Sequence, residues 1–270
     1  MRLTRRDFLA ASGAALAGAL VRPAPVWGLT RGLEFTPVRR NVGIFTLRGG
    51  TVGWLVNGDA VVVVDSQFPA EARVLVAGVR ERASGRDVDA LLNTHHHGDH
   101  TGGNGEFRGV ARHVVAHEQA AAHMRQPPGA AAAASDDLLL PDITFAASWS
   151  MDAGDERVVA RWHGRAHTSG DAVITFERAN VVHMGDLMFN RRHPVVDAAA
   201  GATLRGWMEV LQRTVAGHDA DTVYIFGHAG SGFAVTGTRA DLLHFRSYLD
   251  ALLTFVESQV RAGRSREEVL

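Results

Sequence analysis

From residue 42 onward, apolar residues fall into short runs separated by glycine-bearing turns, the rhythm of strands. The runs "VGIFTL" (42–47), "TVGWLV" (51–56) and "AVVVVD" (60–65) predict three strands, with "NGD" at 57–59 as a tight hairpin turn between the last two. The spacing then changes to three and four. "FPAEARVLVAGVRERASG" (68–85) predicts a helix opened near Pro69 and ended by Gly85. "VDALLNT" (88–94) predicts a buried strand, and "RHVVAHEQAAAHMR" (112–125) a short strand running into a helix. "QPPGAAAAASDD" (126–137) is a low-complexity loop.

Beyond that loop, "ITFAASWSM" (143–151), "ERVVARWHG" (156–164), "DAVITFER" (171–178) and "NVVHMGD" (180–186) predict four further strands. A helix at 201–217 ends in glycine, "DTVYIFGH" (221–228) predicts a strand, and residues 238–263 make a long amphipathic helix. "SREE" (265–268) has the spacing of a capping box opening another helix, yet the chain stops two residues later, as a helix cut short would. Strands and helices therefore run in two β-rich halves, each closing with α/β elements. That order predicts an α+β fold of two sheets packed face to face with helices outside, all within one domain over 29–270.

Residues 1–28 do not fit this rhythm. A basic start with Arg5 and Arg6 precedes the apolar run "FLAASGAALAGALV" (8–21), whose 14 residues are too short to span a bilayer and suit a signal peptide. "TRRDFL" resembles a twin-arginine export signal, which implies transient contact with that export machinery, a periplasmic or exported destination and no stable membrane span. Losing this segment removes four arginines and Asp7 and takes the formal net charge from −1 to −4. A negative chain is a poor footprint for nucleic acid and leaves a small molecule as the expected partner. The chain has no cysteine and no lysine, so any metal site must use His, Asp or Glu.

Such a site is suggested by "LLNTHHHGDHTGGN" (91–104). Side chains alternate along an extended segment, so His95 and His97 point together and His96 points away. Gly98 lets the backbone turn and bring Asp99 and His100 back toward the same pocket. Four donors on so short a span cannot surround one tetrahedral ion, but they can serve two. More donors come from His167 in "GRAHTSGD", Asp186 in "HMGDLMFN" and His228 in "IFGHAG", each in or after a glycine turn following an apolar strand. The remaining histidines at 113, 117, 123, 163, 218 and 244 read as structural or solvated.

The series His-x-His-x-Asp-His, then "AHTSGD", "MGD" and "GH", resembles the metallo-β-lactamase superfamily over nearly all of 42–262. The resemblance implies a four-layer αβ/βα sandwich with two metal ions at one edge. It implies zinc, with iron or manganese as alternatives, held by His95, His97 and His167 at one position and by Asp99, His100 and His228 at the other, with Asp186 bridging. A hydroxide shared between the metals would attack a carbonyl, and Asp99 would serve proton transfer to the leaving group. Asp65 and Thr94 resemble positions that brace the metal loop, and His183 is a candidate packed behind it. Asn190 and Arg191, with Arg192 and His193, follow Asp186 and could line the pocket, where an arginine would grip an anionic substrate.

Within that family, cysteine and lysine are what a β-lactamase would often show around the second metal, and both are missing. The donor set looks more like the glyoxalase II and lactonase type, although "GGN" and "AHTSGDAVITF" echo exported lactamases. The expectation is an exported dinuclear zinc hydrolase acting on an ester, thioester, lactone or amide. The alternatives are a periplasmic β-lactamase, then a phosphodiesterase or a non-catalytic metal-binding protein.

Overall fold

The computed structural model describes residues 34–126 and 138–269. The leader-like segment 1–28 and nearly all of the low-complexity loop lie outside them. Four valines in a row show how the fold is built. In the strand Val61–Val64 all four are buried, because alternate side chains enter different cores. Val62 and Val64 face a second sheet, while Val61 and Val63 face a helix.

The first sheet has seven strands in sequence order: β1 (Phe35–Arg39), β2 (Val42–Phe45), β3 (Val52–Val56), β4 (Val61–Val64), β5 (Ala90–Asn93), β6 (Val114–His117) and β7 (Ile143–Phe145). It is antiparallel from β1 to β4 and parallel from β4 to β7. The parallel part requires crossovers. Helix α1 (Pro69–Arg82) makes the first, a short turn α2 (Gly98–Thr101) with the 3-10 segment Gly102–Phe107 the second, and α3 (Glu118–Arg125) follows β6. Proline at the start of α1 fits its first turn, where no backbone N–H is required.

The second sheet contains β8 (Ser148–Ala153), β9 (Glu156–Trp162), β10 (Ala172–Phe176), β11 (Val181–His183), β13 (Val223–Ile225) and β15 (Thr236–Gly237), in the order β15-β13-β11-β10-β9-β8. A two-residue pair, β12 (Phe189–Asn190) with β14 (His228–Ala229), runs parallel beside it. Helices α4 (Leu204–Ala216) and α5 (Arg239–Arg261) cover its outer face with Trp207, Leu211, Leu242, Phe245 and Leu249. The short α6 (Arg266–Val269) is opened by Ser265 and Glu268, each side chain bonded to the other's backbone N–H. The layers are therefore helix, sheet, sheet, helix, the expected sandwich. Among the described residues no helix is long and apolar enough to cross a membrane.

Three expectations need correction. Residues 143–151 are not one strand: "ITF" ends the first sheet as β7, and the chain turns before "SWSMDA" opens the second as β8. The apolar run continues through the turn, so periodicity does not mark the change of sheet. Residues 221–228 split in the same way into β13 and β14. The strand β1 was not anticipated, because its outer face is half polar and Pro37 interrupts it; it sits at the sheet edge, where proline is tolerated.

Two buried polar side chains fasten these layers. Glu156 accepts hydrogen bonds from the backbone N–H of Arg157, Arg178 and Ala179, tying the β8–β9 hairpin to the turn after β10. His183 donates from Nε2 to the Thr51 carbonyl, 3.0 Å away, and accepts at Nδ1 from Gly185 N–H, 3.1 Å away, joining the two sheets. Only the neutral ring can do both, and burial pushes its pKa down to about 4. The unfolded chain then binds a proton that the folded chain refuses, so stability falls as pH drops from about 6.5 toward 4. Relative to His183→Asn, the wild type is expected to lose on the order of 3 kcal/mol between pH 7.5 and 4, measured by urea unfolding of chelated protein.

Candidate metal centre

The site forms where four turns meet at one edge of the sandwich. Strand β5 ends at Asn93, the chain bends through Thr94, His95 and His96, and His97 is extended where it caps α2, which begins at Gly98. That single helical turn, not a glycine-specific bend, carries Asp99 and His100 back, since Gly98 has no positive φ. Three backbone bonds lock the turns together: Gly50 N–H to Asp99, Thr51 N–H to Gly227, and Gly227 N–H to Gly185. Glycine is required at two of these places by close approach. A Cβ on Gly50 would lie 2.1 Å from His100 Cε1, and one on Gly227 would lie 2.1 Å from Asp186 Oδ1.

The seven expected donors fall into two groups. In His95, His97, His167 and Asp186, and separately in Asp99, His100 and His228, the donor atoms all lie within 4.8 Å of one another. Asp186 faces both. Its Oδ2 is 3.9 Å from His95 Nε2 and 3.7 Å from His167 Nε2, and its Oδ1 is 2.9 Å from His100 Nε2 and 3.3 Å from His228 Nε2. His228 Nε2 is also 3.0 Å from Asp99 Oδ2. Tetrahedral zinc with bonds of 2.0–2.1 Å would hold its ligand atoms about 3.3 Å apart, in the middle of these distances.

The ring tautomers give a second test. His167 Nδ1 lies 2.9 Å from the Val195 carbonyl, which can only accept, so the proton sits on Nδ1 and Nε2 is bare. His97 Nε2 lies 2.9 Å from the Asp197 carboxylate, which leaves His97 Nδ1 bare. Those two bare nitrogens face each other across 3.0 Å, which is repulsive without a cation between them. His100 Nδ1 is 2.7 Å from Asp65 Oδ2. Thr94 Oγ1 donates to the same oxygen and so must accept from His95 Nδ1, 3.1 Å away. His95, His97 and His167 thus have their protons drawn outward and their lone pairs turned inward, while His100 has an outer proton fixed by Asp65 and turns Nε2 to Asp186. His95 Nε2 and Asp186 Oδ1 are buried with no hydrogen-bond partner, Oδ1 despite its close histidine neighbours. The donors fit a pair of divalent cations.

Electrostatics follow the same design. Burial drives the His95 pKa well below the ordinary value, with His100 adding to the effect. Burial also opposes charge on His100, yet Asp186 and Asp65 outweigh it and hold that pKa well above the ordinary value. The Asp186 carboxyl is correspondingly held far down, mainly by His100 against the opposing effect of burial. For Asp99, burial is again outweighed, here by His228 and His100, and its pKa is lowered. Against burial, Asp186 and Asp99 likewise raise the pKa of His228, so the two carboxylates draw positive charge to the place a cation would occupy.

His96 lies outside both donor groups but not alone: its ring is 4.6 Å from that of His97 and 4.8 Å from that of His123, its Nε2 is 3.7 Å from Asp197, and with His97 and Asp197 it makes a third cluster of possible ligands. Asp65 and Thr94 stand directly behind His95 and His100, and His183 braces the turn that presents Asp186. Asn190 and Arg191 are outside both donor groups: Asn190 bonds the Ala234 carbonyl, and Arg191 lines an adjacent cavity. Sequence reasoning missed Asp197 and the Val195 carbonyl. A carbonyl leaves no trace in sequence. Asp197 leaves a faint one, as the single charged residue between His193 and Arg205.

Comparison with known proteins agrees with this fold. A solved structure titled metallo-beta-lactamase from Pontibacter korlensis superposes with a TM-score of 0.67 at 20% identity, covering 80% of this chain and 98% of that one. The IND-7 metallo-beta-lactamase gives 0.64 at 19%, covering 80% and 97%, and DIM-1 gives 0.65 at 15%, covering 81% and 97%. At these identities the likeness is one of fold. No curated protein matches in sequence. The family model for the metallo-beta-lactamase superfamily matches residues 45–253, a span that contains every donor described above. The chain belongs to the metallo-beta-lactamase superfamily, a family of metal-dependent hydrolases.

Proposed function

We propose that this chain is an exported dinuclear zinc hydrolase that cleaves a carbonyl bond in a small molecule: an ester, thioester, lactone or amide. The observation that carries the reading is the inward-facing set of lone pairs with Asp186 presenting one oxygen to each donor group. When bound, two divalent cations supply Lewis acidity toward a carbonyl and lower the pKa of a water toward neutrality. Export rests on the "TRRDFL" leader.

The chain's own residues divide the remaining work. His95, His97 and His167 would hold one cation, Asp99, His100 and His228 the other, and Asp186 both. Asp65 orients one ligand of each group, His100 directly and His95 through Thr94. Asp99 is the most solvent-open carboxylate of the set and is held ionised, and since Oδ2 faces His228 and His100, its other oxygen is the one that can take a proton and return it to a leaving group. The second reading is β-lactam hydrolysis, supported by the names of the solved structures the chain resembles. Turnover of nitrocefin, a homoserine lactone and a thioester by the zinc-loaded protein ranks the substrates; silence on all three rejects the proposal.

Elemental analysis is expected to find two zinc ions per chain, and Asp186→Ala to retain at most one while losing activity by about 100-fold or more. Zinc loading at pH 7 is expected to release protons, because the pKa values of His100 and His228 are raised by carboxylates that the cation takes over. Affinity therefore falls as pH falls, measured by chelator competition from pH 8 to pH 6. Asp197→Ala is expected to weaken one of the two zinc sites by about 10–100-fold and leave the other nearly unchanged. Stepwise titration with a chromophoric chelator separates the two.

A further inference from the structure

Of the three histidines at 95–97, His96 is the one that neither inner donor group uses. Its side chain is only 7% exposed and lies between the rings of His97 and His123. Its Nδ1 is buried with no hydrogen-bond partner, and its Nε2 stops 3.7 Å from Asp197 Oδ2, beyond hydrogen-bond reach. A buried imidazole in this state is costly until another group engages its lone pair.

Asp197 is aimed at the same point. Its Oδ1 accepts from the backbone N–H of Ala200 at 3.0 Å, which leaves Oδ2 for His97 Nε2, 2.9 Å away, and for His96. The segment that carries it is tied to the His167 turn by two backbone bonds, Ser169 N–H to Ala200 and Thr203 N–H to Ala166. His96, His97 and Asp197 therefore bring three donor atoms within 4.8 Å of one another. Two imidazoles and a carboxylate, with a water as fourth ligand, make a tetrahedral set suited to zinc.

His97 belongs to this set and to the inner one, and it cannot serve both at once, because a neutral imidazole has one lone pair. When a cation lies between His97 Nδ1 and His167 Nε2, the His97 proton is on Nε2 and points to Asp197. The ring has a second arrangement with its atoms in the same places. A cation at Asp197 Oδ2 and His96 Nε2 takes the lone pair of His97 Nε2, and the proton moves to Nδ1. From there it is donated to the bare His167 Nε2 across the observed 3.0 Å. The contact that repels when both nitrogens are bare becomes an ordinary hydrogen bond. Of the two positions that use His97, the one at Asp197 is also nearer solvent. His97 and Asp197 are 22% and 20% exposed, whereas His95 and His167 are 1% and 0% exposed.

We propose that His96, His97 and Asp197 form a third cation position, an alternative to the inner one with which it shares His97, and that a divalent cation is held there on its way to His95 and His167. The inference rests on the reading that the inner donors bind metal. Because the outer and inner positions exclude each other at His97, no more than two cations are held at once, the third donor group adding a route rather than a third resident ion.

The test counts zinc by elemental analysis after dialysis against buffered zinc. His167→Gln, which weakens the inner position, is expected to keep two ions per chain, and His167→Gln with His96→Gln to keep one. His167→Gln with His113→Gln, which removes an exposed histidine beside Asp142, should still keep two. A long-range proton–nitrogen NMR spectrum reads the exchange directly: zinc at His97 Nδ1 in the wild type and at His97 Nε2 in His167→Gln. In stopped-flow transfer from a chromophoric chelator, His96→Gln is expected to load the inner position about tenfold more slowly at unchanged final affinity. His96→Phe, which keeps a ring between His97 and His123, should do the same. Equal zinc counts with and without His96, or zinc on His97 Nδ1 in both proteins, overturn the third position. An unchanged loading rate overturns its part in entry. If the inner donors of the wild type hold no zinc while one ion is bound and is lost in His96→Gln, the dinuclear reading fails and the outer position stands.

Discussion

Everything at the metal centre depends on where four protons sit. An imidazole offers a lone pair to a cation only from the nitrogen that lacks hydrogen, and in isolation either nitrogen can be that one. Here the choice is made from outside. Asp65, Thr94, Asp197 and the Val195 carbonyl each accept from the far side of a ring, and His95, His97, His100 and His167 turn their other nitrogens inward to the two donor groups. Asp65 has the widest reach. It is fully buried, it takes the backbone N–H of Thr94 as well as the two side-chain bonds, and it sits at φ 66°, where a side chain other than glycine is strained. The strain is held in place by the parallel strands on either side, through the Asp65 N–H bond to Leu92.

The sandwich explains why those acceptors arrive together. Strands β4, β5 and β6 run parallel, and so do β11 and β13, so their C-terminal turns collect at one edge. Residues such as Val62, Val64 and Leu92 on one sheet and Ile174, Val181 and Ile225 on the other fill the space between, and fix the distance between the two sets of turns. A core substitution there would reach the centre by shifting one set against the other. Packing and chemistry are coupled at this edge because Thr51, Gly185 and Gly227 join the two sheets by backbone bonds directly beneath the donors.

How much of this could be read in advance follows from how local each signal is. The alternation in "AVVVVD" and the threefold and fourfold spacing of 68–85 depend only on near neighbours, so the strands and helices emerged close to their true limits. The convergence of seven donors was legible because each sits in a short motif whose order and residue types are distinctive. What was not legible depends on contacts over long separations. β7 and β8 lie in different sheets although their apolar residues are nearly continuous. Asp197 meets His97 from 100 positions away. Asp65 and Thr94 could be named as candidates, but only the fold shows that one serves through the other.

The fifth imidazole breaks the pattern, and the exception is informative. His228 has no outer acceptor; its Nδ1 faces Arg192, which can only donate, and its ring is steadied by stacking on Phe189. Nothing on that side draws its proton outward, so the proton is drawn to Nε2 by Asp99 and Asp186 and would have to leave before that nitrogen could hold a cation. Asp99 is also the most exposed carboxylate of the centre. The two donor groups are thus unequal by construction, one locked from behind and the other leaning on an exposed carboxylate. On the proposed reading, protonation as pH falls would therefore release the cation from the position of His228 and Asp99 before it disturbs the ring of acceptors behind His95, His97 and His167.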